Sequence, residues 1–185
     1  MCAESCPCSR RQQGLSLIEL IVFMVVVSVG LAGVLGALDY SNRVSVNPML
    51  LKQQVAIAES LLEEVSSKPF TWCDPDDPNA ATASSASGCT VVQGLGPTAG
   101  ETRSNFDNVG DYHGYAMNAG ILNPVSGTVI SGLQSYRASI AVSLAGSALG
   151  LADNGAALRI DVSVTAPDGN LITLTGYRSR YAPNI

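Results

Sequence analysis

The most informative residue of the chain is Glu19, a lone carboxylate inside an apolar segment. From Leu15 to Leu38 no other residue is charged, and about 20 apolar residues are enough for a helix to cross a bilayer. A carboxylate within the hydrocarbon layer costs on the order of 2.5 to 3.5 kcal/mol on insertion scales, so we expect Glu19 to have a partner or a task. The alternative is an ordinary membrane anchor whose glutamate snorkels towards the surface.

Three carboxylates lie close together later in the chain, at Asp74, Asp76 and Asp77. Ca²⁺ takes oxygen ligands from closely spaced acids, so these residues can be considered as a calcium site. The full calcium-loop pattern is missing, and the neighbouring prolines Pro75 and Pro78 favour an exposed acidic turn. The sequence leaves calcium binding open and predicts no metal site.

The sequence does not favour an enzyme. His113 is the only histidine, and the chain has no Gly-x-Ser-x-Gly elbow, phosphate-binding glycine loop or metalloprotease helix motif. We therefore predict no catalytic residue and no cofactor, and expect His113 to hydrogen-bond the loop between Asp111 and Tyr115. An aromatic set, Trp72, Tyr112 and Tyr115, can stack on a sugar, although packing around a loop is the simpler interpretation.

The charge balance argues against nucleic acid as a partner. The chain carries a formal net charge of −5, and nucleic-acid-binding domains show a basic patch instead. Arg10 and Arg11 precede the apolar segment and Asp39 follows it. The positive-inside rule then places the N-terminus in the cytoplasm and the C-terminal part outside.

The apolar segment is followed by a predicted amphipathic helix. Its apolar residues recur at steps of three and four: Leu51, Val55, Ala58, Leu62 and Val65. Asn47 and Pro48 form an N-cap followed by a first-position proline, so the helix is expected to kink or to restart there. The pair Lys68 and Pro69 is expected to end it.

The rest of the chain predicts a loop and then a sheet. Residues 72–100 are rich in Asp, Pro, Ser, Thr and Gly and show no period. Apolar and polar residues alternate over 136–144 and 158–165, and a turn at 167–169 leads to a partner strand at 171–177. A three- or four-stranded antiparallel sheet packed on the helix would bury both amphipathic faces, which predicts an α+β fold.

The residues around Glu19 resemble the processing signal of type IV prepilins and pseudopilins: Gly14 before Leu15, arginines upstream, and a glutamate five positions into the apolar segment. The resemblance implies cleavage between Gly14 and Leu15 by prepilin peptidase and N-methylation of Leu15. It also implies that Glu19 meets the N-terminal amine of a neighbouring subunit. Unlike a secretory signal peptide, this leader is cut before the apolar core, which stays.

Stretches further along the chain are similar to minor pilins of the mannose-sensitive haemagglutinin (MSHA) pilus: residues 51–64, 69–73, 106–115 and 176–181. This resemblance implies a low-abundance subunit of an adhesive pilus of a Gram-negative bacterium. The implied partners are prepilin peptidase, other major and minor pilins, an assembly ATPase and an inner-membrane platform. A tip-located adhesin with its specificity in residues 72–115, or a type II secretion pseudopilin, remain alternatives.

The resemblance divides the chain into four parts. They are a leader at 1–14, a transmembrane helix at 15–38, an amphipathic extension at 39–68, and a loop and sheet head at 69–185. The protein is then expected to cross the inner membrane once, with its head in the periplasm, before it reaches the pilus at the cell surface.

Loss of the leader would leave one pair of cysteines. Cys2, Cys6 and Cys8 belong to the leader, and their spacing matches no strong zinc pattern. Cys73 and Cys89 remain, in an oxidising compartment where disulfides persist. The sequence therefore predicts a disulfide between Cys73 and Cys89.

Overall fold

Helix α1, Leu17–Ser66, is the longest element of the chain. The structure, a computed structural model, describes residues 16–98 and 100–181, without the side chains of residues 41–47. Pro48 lies inside α1, so the predicted restart at this proline is wrong. Proline has a fixed φ that suits a helix and removes one backbone donor, so an otherwise favourable helix can continue through it.

The chain divides into two compact units, Met1–Asn47 and Pro48–Ile185. In the first unit, the Leu17–Tyr40 part of α1 has a mean hydropathy of 2.6, and none of it is buried. By length and composition this segment can cross a membrane, and it fits membrane anchoring. Of its glycines, Gly30, Gly33 and Gly36 lie in open space, where an added Cβ would meet no atom within 4 Å.

The second unit contains a four-stranded antiparallel sheet in the order β1-β2-β3-β4. Its strands are β1 Ala116–Met117, β2 Arg137–Leu144, β3 Ala157–Thr165 and β4 Leu171–Ser179. The predicted α+β fold, a long N-terminal helix with a small antiparallel sheet, is confirmed. Strand β1 was not predicted, because a two-residue strand is too short to show alternation.

The core of the second unit lies between the C-terminal part of α1 and one face of the sheet. The helix contributes Ile57, Ala58, Leu61 and Val65 to it. The predicted apolar face of α1 is therefore partly wrong: Leu51 is 45% exposed, while Val55 and Leu62 are half-buried. The buried face of α1 also contains Ile57 and Leu61, each one position before a member of the predicted set, Ala58 or Leu62. The apolar stripe is therefore rotated around the helix towards Ile57 and Leu61.

Alternation along β2 and β3 follows the prediction except at one end. Leu158, Ile160, Val162 and Val164 are buried, as expected for half-buried strands. Leu144, the last residue of β2 and predicted to face the core, is 49% exposed, although Leu158, its partner on β3, is buried. Gly169 adopts a φ of 84° in the turn before β4, a conformation that favours glycine.

Candidate functional site

Glu19 lies in the first turn of α1. Its side chain is exposed, as are those of its apolar neighbours Leu17, Ile18 and Leu20. A carboxylate near a helix N-terminus is favoured by the helix dipole. In an apolar surrounding, however, the carboxylate needs a cationic partner from outside this helix. The predicted cleavage residues Gly14 and Leu15, and the leader cysteines, lie outside the described residues.

Cys73 and Cys89 form the predicted disulfide, with a Cα–Cα distance of 5.2 Å. Cys73 also pairs with Val92 in an isolated antiparallel bridge. Around the disulfide lies a small apolar cluster that includes Ala80 and Ala83. The loop is thus held by one covalent bond and a second, minor core.

Asp74 and Asp77 do not form the exposed acidic turn that the sequence predicted, since each is only 5% exposed. They act as acceptors for loop amides. Asp74 accepts from the backbone N–H of Asp76 at 2.8 Å, and Asp77 accepts from those of Asn79 and Val91. The hydrogen bond from the Val91 amide, first among several, lowers the pKa of Asp77.

The carboxylates that meet in space differ from those adjacent in sequence. Oxygen atoms of Asp74, Asp76 and Asp107 lie within 4.8 Å of one another, and so do those of Glu101, Asp107 and Asp111. Asp107 belongs to both groups. Burial, together with the charges of Asp74 and Asp111, raises the pKa of Asp107 to about 6. Asp77, which the sequence grouped with Asp74 and Asp76, points instead to Val91.

A polar network joins α1 to the loops of the second unit. Arg103 donates from Nε to Glu64 Oε1 at 2.9 Å and from Nη2 to Glu64 Oε2 at 2.5 Å. The Tyr112 hydroxyl donates to Glu64 Oε1 at 3.0 Å, and Arg103 Nη1 donates to the Leu122 carbonyl at 2.8 Å. Burial, with the Glu64 charge, raises the pKa of Tyr112. One carboxylate therefore fixes two loop segments to the helix.

Sequence reasoning missed Glu64 and Arg103, which are separated by 39 residues. The available signal was the position of Glu64 seven residues after Ile57, on the side of α1 that faces the core. A carboxylate on such a face requires a buried or half-buried partner. The identity of that partner could not be deduced, because it depends on how the loops fold back.

A cavity of about 560 Å³ opens beside this network, lined among others by Arg103, His113 and Tyr115. Of the three aromatic residues considered for sugar stacking, only Tyr115 lines it. Tyr112 is 1% exposed, in the core, and Trp72 packs under the Arg180 guanidinium at 3.8 Å from its ring centroid. His113 Nδ1 accepts from the Val142 backbone at 3.2 Å, so this histidine contacts β2 as well as its own loop.

Comparison with protein families gives a match at the N-terminus. Residues 9–35 match the family described as Prokaryotic N-terminal methylation motif. The chain carries a prokaryotic N-terminal methylation motif. This motif indicates a type IV pilin-like or pseudopilin precursor, and it implies processing by prepilin peptidase and assembly with other pilins. It includes the positions of Gly14, Leu15 and Glu19.

The methylation motif ends inside the apolar part of α1, so it covers none of the second unit. No curated protein and no solved structure matches the chain. The likeness to minor pilins of the MSHA pilus in the head therefore remains a prediction.

Proposed function

We propose that the chain is a minor type IV pilin of the MSHA pilus, of the MshD type. Prepilin peptidase cuts it after Gly14 and methylates Leu15, and the mature protein crosses the inner membrane once with its head in the periplasm. It then joins, or initiates, an adhesive surface pilus together with major and minor pilins on the inner-membrane assembly platform. The observation that carries the pilin part of this proposal is the methylation motif at residues 9–35, with Glu19 as the lone charge in the apolar helix. The MSHA part rests on the resemblance of residues 51–64, 69–73, 106–115 and 176–181 to minor pilins of that pilus.

The chemistry of Glu19 supports a role in assembly. A carboxylate removed from water is tolerated only beside a cation or strong donors. The amine freed at Leu15 of an adjacent subunit is a cation released by the same processing step. Pairing of the two groups would set the register of one subunit against the next.

Two other functions have support of their own. The cavity beside Tyr115 offers an aromatic ring and polar groups at its wall, as expected of a tip-located adhesin that binds a small ligand. A type II secretion pseudopilin would carry the same N-terminal motif. Genes for pilus assembly next to this gene would favour the pilus, and genes for secretion would favour the pseudopilus.

Immunogold labelling of sheared surface fibres tests the proposal. A subunit of the shaft gives sparse label along the fibres, whereas a subunit that initiates assembly or acts as an adhesin labels only the tips. Label confined to the periplasm, with none on fibres, would contradict incorporation into a surface pilus.

A further inference from the structure

Strand β4 forms an edge of the sheet and leaves one row of backbone groups without a partner. The Arg180 amide donates to the Ala156 carbonyl, and the Ala166 amide donates to that of Asn170, both at 2.9 Å. Because residues of an antiparallel strand alternate in the direction of their backbone groups, even-numbered residues of β4 face β3. Odd-numbered residues, from Leu171 to Ser179, face outwards. Within residues 16–98 and 100–181, these outward groups have no hydrogen-bond partner.

An apolar strip lies along the same edge, on the side of the sheet that faces the helix. Even-numbered side chains of β4 point to this side, since a Cβ placed on Gly176 would lie 2.9 Å from Leu62 Cδ1. Leu62, Ile172 and Leu174 pack against the core but remain partly exposed. One more strand beside β4 would cover them, so the core is open along this edge.

Two guanidinium groups, those of Arg178 and Arg180, lie at the C-terminal end of this apolar strip. Arg178 and Arg180 each have a buried Nε without a hydrogen-bond partner among the described residues. Arg178 Nη2 donates to the Lys68 carbonyl at 3.4 Å, and Arg180 lies between Phe70 and Trp72, 4.0 and 3.8 Å from their ring centroids. A cationic N–H group that is buried without a hydrogen-bond acceptor lowers the stability of the fold. A carboxylate at this end of the strand would satisfy the Arg178 donor.

The edge also lacks the usual protection against pairing. Exposed edge strands are commonly blocked by charges, prolines or bulges. From Leu171 to Tyr177 there is no charge and no proline, and the pairing of β4 with β3 runs without a bulge. The strand can therefore accept a further strand along most of its length.

We propose that β4 is a docking site for an extended segment of another exported subunit, which adds to the sheet as a fifth strand. That segment carries apolar residues at alternate positions, facing the helix, and a carboxylate opposite Arg178. The identity of the partner as an exported subunit rests on the proposed function. The requirement for an extended segment with alternating apolar residues and a carboxylate rests only on the geometry of β4.

A second copy of this chain fits the site less well. Gln54 contacts Asn170 and Leu62 contacts Gly176, so α1 and β4 run in the same direction within the second unit. Antiparallel pairing of two β4 strands would make the helix segments of the two second units antiparallel. In the register that pairs the whole of β4, Leu171–Ser179, with its copy, Ile172 and not a carboxylate lies opposite Arg178.

A designed peptide tests the site on the full mature chain in detergent. The probe is Thr-Glu-Thr-Val-Thr-Val-Thr-Val-Thr with N-methylated valines, whose threonine amides face β4 when its glutamate lies opposite Arg178. The matched control carries its methyl groups on three threonine amides instead. We expect saturable binding of the probe, at least about tenfold tighter than that of the control, since only the probe can form the strand hydrogen bonds. Equal binding of both peptides, or no saturable binding of the probe, would overturn the proposal.

Variants of the edge sharpen the test. Arg178→Gln should remove the preference for the probe over a peptide with glutamine in place of its glutamate. Tyr177→Pro removes an outward N–H and should weaken binding, whereas Tyr177→Ala should not; unchanged binding by Tyr177→Pro would contradict strand addition.

If the Thr175→Cys protein forms disulfide-linked dimers and Ser163→Cys on β3 does not, the edge belongs to a second copy and the proposal is wrong. A mature N-terminus other than Leu15 would overturn the proposed function but leave the peptide results unaffected.

Discussion

Arg103 and Glu64 form a bidentate salt bridge between a loop and helix α1, with both nitrogen–oxygen distances at or below 2.9 Å. The side chains are 8% and 20% exposed, so the pair is largely shielded from water. A shielded ion pair is sensitive to the loss of one partner, because the other charge then stays buried and unpaired.

We expect Arg103→Ala to lower the free energy of unfolding of the second unit by about 2 to 3 kcal/mol. Arg159→Ala is the matched control, because Arg159 pairs with Asp161 at 3.0 Å but is 48% exposed, and such pairs contribute at most about 1 kcal/mol. Urea unfolding of both variants checks the prediction. An equal loss of unfolding free energy in both variants would show that the shielded Arg103–Glu64 pair stabilises the protein no more than the exposed pair does.

The raised pKa of Asp107 predicts a pH-dependent stability. Burial and neighbouring carboxylates raise its pKa to about 6 in the folded state, so the folded chain binds this proton more tightly than the unfolded chain does. Its contribution is then favourable below pH 4 and is lost as the pH rises towards 6. Asp107→Asn should stabilise the protein at pH 7 by about 1 kcal/mol, a figure reduced for partial exposure.

Thermal unfolding at pH 4 and pH 7 measures this effect. Glu63→Gln is the control, since Glu63 is an exposed carboxylate on α1 that belongs to neither group of carboxylates. Asp107→Asn should be more stable than wild type at pH 7, and this difference should be smaller at pH 4. A loss of stability at pH 7 would show that the Asp107 carboxylate is needed in its charged form.

The disulfide is expected to stabilise a loop that has little regular structure. For a separation of 16 residues between Cys73 and Cys89, the chain-entropy estimate is about 3 kcal/mol. Cys73→Ser should therefore make residues 80–87 more sensitive to protease. Limited proteolysis with peptide mapping measures this, and identical cleavage rates in wild type and variant would contradict it.

Much of the fold could be predicted because strands and helix face a core with regular spacing. Alternation at Ile160 and Val162 was sufficient to place β3, and the turn ending at Gly169 placed β4. The helix face was displaced by one position, since Leu51 and Leu62 are as apolar as Ile57 and Leu61. Only the position of the sheet decides between these pairs.

The site residues were harder to predict from sequence, because their partners are distant. Asp77 accepts a hydrogen bond from the Val91 amide, and the half-buried carboxylate of Glu64 pairs with Arg103. Neither contact follows from local spacing. The presence of the N-terminal motif could be predicted, and is confirmed by the family match at residues 9–35, because its residues are adjacent and do not depend on folding. The cleavage site, the methylated residue and the role of Glu19 stay predictions.

Glu19 provides a test of assembly. We expect Glu19→Leu to leave membrane insertion intact, because removing a charge from an apolar helix eases insertion. The variant should nevertheless be depleted from sheared fibres, since it cannot pair with the amine of Leu15 on a neighbour. Glu59→Leu, an exposed glutamate further along α1, is the control. Wild-type amounts of the Glu19→Leu protein in purified fibres would contradict the assembly role.

Intact-mass analysis of the membrane fraction tests the central claim most directly. The account predicts a mature protein that begins at Leu15 and is one methyl group heavier than the unmodified chain. Gly14→Glu should block this maturation, because the peptidase must accept a residue without a side chain, whereas Gln13→Glu should mature normally. A start site other than Leu15, or normal maturation of Gly14→Glu, would contradict the assignment as a pilin.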